Sequence, residues 1–264
     1  MMKHLFFHAV LCGVGLLAMA SSASAIAPRP VHLSGNTSYD EWTAAGLSAP
    51  ANPGYPGYPG SGNWPNPIGS NLGGDAILSR ISGGAGGNGP FPAGESLYFG
   101  GFSSTPNTFG GTVAISDSTI AFNLKTVVFQ IEIAEAWTYD FWNEAVPTLS
   151  YNGGTQDLAP TFETLVYAEF LGTISMPSGE EALYKNLYAF QWDLSGISEP
   201  ITSYSISWSG VQHAQVYGLR LDASSDVYSS AVLTPIPEPQ AYALALFGLL
   251  LVASVVRHQR KLAA

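Results

Sequence analysis

The sequence predicts an all-β body, an antiparallel β-sandwich or jelly-roll-like fold, followed by one C-terminal transmembrane helix. Three observations predict it. Apolar residues recur at every second position in four separate segments. Turn-forming dipeptides stand between those segments. A leucine- and alanine-rich run, 241–256, sits beside a basic cluster near the C-terminus.

Residues 1–25 carry the marks of a secretory signal peptide. Lys3 supplies the positive charge, 5–20 is an apolar stretch, and Ala23-Ser24-Ala25 offers small residues for signal peptidase. The mature chain then begins near Ile26, outside the inner membrane. The sole cysteine, Cys12, falls within that segment, and Ala9-Val10-Leu11 before it lacks the leucine placement of a lipobox. A mature chain without thiols excludes disulfides, thiolate metal sites and a cysteine nucleophile.

The exported body, 26–234, is long enough to bury a core without covalent help. The chain has a formal net charge of −10. With Lys3, Arg257, Arg260, Lys261 and Glu238 set aside, eighteen acids face five bases. Such a surface repels phosphate backbones, which argues against a nucleic-acid partner.

Within the body, 52–94 is rich in Gly, Pro and Asn and includes Gly54-Tyr55-Pro56-Gly57-Tyr58-Pro59-Gly60. Trp64, Ile68, Ile77, Leu78 and Ile81 are interspersed there, which favours loops packed over the domain rather than a plain linker. Beyond Ser96 the period is two. Val127, Phe129, Ile131 and Ile133 share one face, as do Tyr188, Phe190, Trp192 and Leu194. Tyr204, Ile206 and Trp208 form a third such set, and Tyr217, Leu219 and Leu221 a fourth. Each set predicts a strand with one buried face and one wetter face. Asn152-Gly153-Gly154, Ser195-Gly196 and Ser209-Gly210 supply turns. The one helical signal is Ser178 with Glu181, a capping box, plus Glu181 and Lys185 at i, i+4. It allows two helical turns or a plain turn.

The C-terminal segment, 235–264, has three parts in order: Pro237-Glu238-Pro239, the apolar run 241–256 with Gly248, and the cluster Arg257, His258, Arg260 and Lys261. Sixteen helical residues reach roughly 24 Å, short of a bilayer core of about 30 Å. Tyr242 at one interface and a snorkelling Arg257 at the other would close the gap. Arg257, Arg260 and Lys261 orient the helix by keeping that end cytoplasmic, which leaves the body outside.

This three-part tail resembles the PEP-CTERM sorting signal over about the last thirty residues. Ile236 stands where that family's pattern usually has valine. The resemblance implies recognition by an exosortase, cleavage near Pro237, Glu238 and Pro239, and delivery to the cell surface or to exopolysaccharide after transient anchoring. The body also resembles those of PEP-CTERM proteins of unassigned function. Tyr204-Ser205-Ile206-Ser207-Trp208 and the segment from His213 to Asp222 carry that likeness. It implies a domain shape and an exported role, and no activity.

Motifs of catalysis are missing. The body has no G-x-S-x-G, H-E-x-x-H or P-loop, and its two histidines, His32 and His213, lack a histidine neighbour at ligand spacing. His213 suits a structural hydrogen bond. Glu132 with Glu135, or Asp140 with Glu144, are candidate carboxylate pairs for glycoside chemistry. Asp222 and Asp226 flank a serine-rich turn of the kind that can hold Ca²⁺, without an EF-hand pattern. Trp137, Tyr139 and Trp142, beside Phe141, Asp140 and Glu144, are candidates for stacking on sugar rings. They serve equally as caps on the core. No cofactor is implied. Two classes therefore stand open. One is a non-catalytic surface or matrix protein. The other is a carbohydrate-binding or carbohydrate-active module.

Overall fold

The computed structural model describes residues 27–48, 67–84, 89–92, 94–100, 103, 105–134, 137–176 and 179–235. In chain order come β1 (Thr37–Trp42), a single helical turn α1 (Ala44–Leu47), β2 (Ile77–Gly83), β3 (Phe91–Pro92) and β4 (Leu97–Tyr98). Then follow β5 (Phe109–Asp117), β6 (Thr126–Ala134), a 3-10 turn (Trp142–Glu144), β7 (Thr148–Tyr151) and β8 (Phe162–Met176). The last three are β9 (Gly179–Asp193), β10 (Tyr204–Val211) and β11 (Gln215–Ser224).

The strands form two antiparallel sheets, as the sequence predicts. One runs β3-β4-β11-β6-β9-β8, with β1 also paired to β11; the other runs β2-β5-β10-β7. Their inner faces close one core. Phe129, Trp192 and Leu219 come from the first sheet, and Leu78, Ile115, Ile206 and Trp208 from the second. The Phe129 and Trp208 rings meet across the interface at 5.1 Å. Burying each such side chain contributes about 1.5–3 kcal/mol. The four segments with period-two patterning are β6, β9, β10 and β11.

The wetter face expected of β6 is not wet, because all nine of its residues are buried. Two stretches of chain cover that outer face. The first, 28–34, docks where Gly218 lacks a side chain; a Cβ there would meet Pro28 Cδ at 2.8 Å. Gln130 Oε1 accepts from Arg29 N at 3.1 Å, and its Nε2 donates to Arg29 O at 2.6 Å. The second stretch, 228–233, is held by Gln191. Its Nε2 donates to Tyr228 O and Ser230 O, and its Oε1 accepts from Val232 N. Leu233 then packs with Val128, Val166, Leu187 and Ala189 in a second apolar cluster. The two stretches meet where Tyr228 OH accepts from Ser34 N at 2.5 Å and lies 3.0 Å from Ser34 Oγ.

The helical alternative after Ser178 is corrected: Glu181 to Lys185 lies within β9, paired along its length with β8. An i, i+4 pair is worth a few tenths of a kcal/mol, less than the cross-strand pairing it would displace. Lys185 bridges instead to Glu132 at 3.2 Å and Glu169 at 2.9 Å on neighbouring strands. β8 itself carries two register shifts, near Val166 and Leu171, which break a simple alternation. In the 52–94 stretch, Ile68 and Leu78 are buried while Ile77 and Ile81 are exposed.

The signal segment 1–25, Trp64, Glu135, the triplet Pro237-Glu238-Pro239, the run 241–256 and Arg257, Arg260 and Lys261 lie outside the described residues. Among the described residues no helix is long and apolar enough to cross a membrane.

Candidate functional site

The connection from β6 to β7 lies against the inner face of β9. Phe141 is paired to Gly210 by an isolated bridge, and its ring packs on Tyr188 at 5.6 Å and Phe190 at 5.8 Å. Thr138 is pinned by Asn107, whose Nδ2 donates to Thr138 Oγ1 at 2.5 Å. Asn143 and Glu144 both adopt left-handed backbone, φ 57° and 56°, which turns the chain sharply within the 3-10 turn. Glu144 ends exposed at the rim.

A cleft of about 300 Å³ opens here, lined by Thr138, Tyr139, Asp140, Phe141, Glu144, Val146, Glu163 and Tyr188. Asp140 forms its floor, only 6% exposed. Asp140 Oδ2 accepts from Asn186 Nδ2 and from Tyr188 OH, each at 2.7 Å. Asp140 Oδ1 is buried with no hydrogen-bond partner. Burial pushes the Asp140 carboxyl up to about 6, against the pull of the Tyr188 and Asn186 donors. Near neutral pH it is therefore mostly ionised, half-satisfied and away from water. Desolvating a charge without full compensation is costly, so the ionised Asp140 carboxylate lowers the stability of the fold.

The aromatic residues singled out in the sequence do not share one face, because 137–141 is bent rather than extended. Tyr139 lines the cleft. Trp137 lies near the His213 ring, centroids 6.3 Å apart, with its Nε1 buried and unpartnered. Trp142 stands edge-on to Phe109 at 4.9 Å. Asp140 and Glu144 do come together in the cleft, joined by Glu163 of β8 and Tyr188 of β9. Sequence spacing did not find those two. One signal for the site was present: Asn186 is a polar residue in register with the inward set Tyr188, Phe190 and Trp192.

The other candidates are accounted for structurally. Glu132 faces outward and pairs with Lys185; burial raises its carboxyl, against the pull of that ammonium. Asp222 accepts from Arg220 Nε and Nη2, and Arg220 also reaches Glu41 at 2.6 Å. His213 sits in the turn before β11, its Nδ1 paired with Tyr98 OH and its Nε2 2.8 Å from Gln212 Nε2. Burial lowers the His213 imidazolium. Among the described residues, no three of His, Cys, Asp and Glu are grouped to hold a metal ion.

No family model matches the chain, and no curated protein or solved structure matches it.

Proposed function

We propose that this chain is an exported, non-catalytic surface protein, sorted through its C-terminal segment to the cell surface or to exopolysaccharide. Signal peptidase and an exosortase are its processing partners, and the run 241–256 anchors it in the membrane until cleavage. The reading rests on the order of the two terminal signals in the sequence. One structural observation supports it. The segments next to both signals, 28–34 and 228–233, are strapped side by side on the outer face of one sheet. The nested pairs β1·β11, β5·β10 and β6·β9 also suit a jelly-roll-like path.

The test is processing. Replacing Pro237, Glu238 and Pro239 with alanines should leave uncleaved precursor in the membrane. Mass spectrometry of the C-terminal peptide is the readout, with and without the exosortase. A mature protein that keeps Ala264 in the presence of the enzyme defeats the sorting reading.

A second reading, a carbohydrate-binding module, is favoured by the cleft. Rings of Tyr139 and Tyr188 beside Asp140, Glu144 and Glu163 suit a polyhydroxylated ligand. Glycan-array binding of the purified chain, lost in Tyr139→Ala, tests it.

A further inference from the structure

We infer that the cleft between the β6–β7 connection and the β8–β9 edge binds an organic ammonium group, carried on a saccharide unit. The inference rests on the carbohydrate-binding reading for the saccharide and on the cleft's own chemistry for the ammonium.

Four observations converge. The Asp and Glu side chains lining the cleft, Asp140, Glu144 and Glu163, face no cation there, so an anionic ligand is repelled. None of the five basic side chains of the described residues, Arg29, Arg80, Lys125, Lys185 and Arg220, lines it. Asp140 has one buried oxygen without a partner, whose need a charge-assisted N–H donor meets best. Rings of Tyr139, Phe141 and Tyr188 stand beside that carboxylate, and aromatic faces attract a cation. A bare metal ion fits less well, because the described acids are not grouped at ligand distance.

The binding geometry follows. The ammonium enters from the rim between the exposed Glu144 and Glu163 and settles over Asp140. A tilt of the Asp140 carboxylate about its soft terminal torsion brings Oδ1 within reach of an N–H. The same small tilt shifts Oδ2, which stays within reach of the Asn186 amide and the Tyr188 hydroxyl, now at 2.7 Å each. Ring hydroxyls of the sugar then find acceptors on Glu144 and Glu163. The groups facing Asp140 are Asn186 and the Tyr188 hydroxyl on β9, Glu163 on β8 and Glu144 in the 3-10 turn. Burial raises the Asp140 carboxyl to about 6.

The experiment is calorimetric titration of the purified full-length chain with three probes: a glucosamine oligosaccharide, its fully N-acetylated counterpart, and a linear polyamine. The glucosamine oligomer should bind at pH 7 and lose affinity about tenfold at pH 5, one unit below the Asp140 titration. Asp140→Asn should weaken it at least tenfold at pH 7 and abolish the pH dependence. Its thermal unfolding serves as the check that it is folded. Glu163→Gln, on an exposed rim position, should weaken binding several-fold in a chain with no reason to misfold. Equal binding of the N-acetylated oligomer overturns the ammonium inference and leaves the saccharide reading standing. Equal binding of the polyamine upholds the ammonium and overturns the saccharide. No binding of any probe overturns both.

Discussion

The outer face of the first sheet and the cleft at its β8–β9 edge both bury polar side chains, but they treat them differently. On the outer face, Gln130 spends its amide on both backbone groups of Arg29, and Gln191 makes three bonds to 228–232. Every polar atom of those two amides that faces a strap has a backbone partner. In the cleft, Asp140 has two donors on one oxygen and none on the other. A satisfied buried amide fixes structure. A half-satisfied buried carboxylate lowers stability. The difference separates what holds this protein together from the group that the ammonium proposal offers to a ligand.

Gln191 holds the outer-face strap 228–233 at three backbone positions. Gln191→Ala strips three hydrogen bonds from the backbone of 228–232 and should cost about 3 kcal/mol. It should also free 228–233 from the sheet, read as new protease cleavage there and faster amide exchange. Unchanged stability would mean that Leu233 packing alone holds the strap.

Asp140→Asn should act in the opposite direction and stabilise the chain at pH 7.5 by up to about 3 kcal/mol. Asp140 holds its proton more tightly folded than unfolded, moving from 3.8 to about 6. Its ionisation therefore favours unfolding. That penalty is absent below pH 3.8, grows as the pH rises, and is complete above about 6. The gain from the amide should fade over the same window in denaturant melts at several pH values. A gain that persists at pH 3.5 would assign the effect to packing.

Gln130→Ala should cost about 1.5 kcal/mol, roughly half the Gln191 effect, because one residue is released rather than a longer strap. Two-state denaturant curves would rank the pair. The smallest effect is expected at Trp137→Phe, which removes an indole N–H that has no partner. It should shift stability by less than about 0.5 kcal/mol and leave ligand binding intact, since Trp137 does not line the cleft.

Much of the fold was legible because sheet burial writes itself into a sequence with period two. Phe129, Ile131, Phe190, Trp192, Ile206, Trp208, Leu219 and Leu221 announce their faces locally, and all lie in the one core. β8 was not legible: its two register shifts interrupt the alternation, and Leu165, Phe170 and Leu171 remain exposed. The false helical signal at Glu181 and Lys185 arose because charge spacing is a local quantity, whereas those residues find partners across strands.

The sequence by itself therefore determined the all-β class, the main strands and the proximity of Asp140 to Glu144. Each depends on neighbours within a few residues. Tertiary structure alone decided that Glu163 and Tyr188 join them, that Trp137 and Trp142 turn elsewhere, and that β6 is buried on both faces. Those facts depend on which distant segments meet. Tyr188 is forty-eight residues from Asp140, and Gln130 is a hundred and one from Arg29. Chain closure over such distances is set by the sum of core contacts, which no local pattern records.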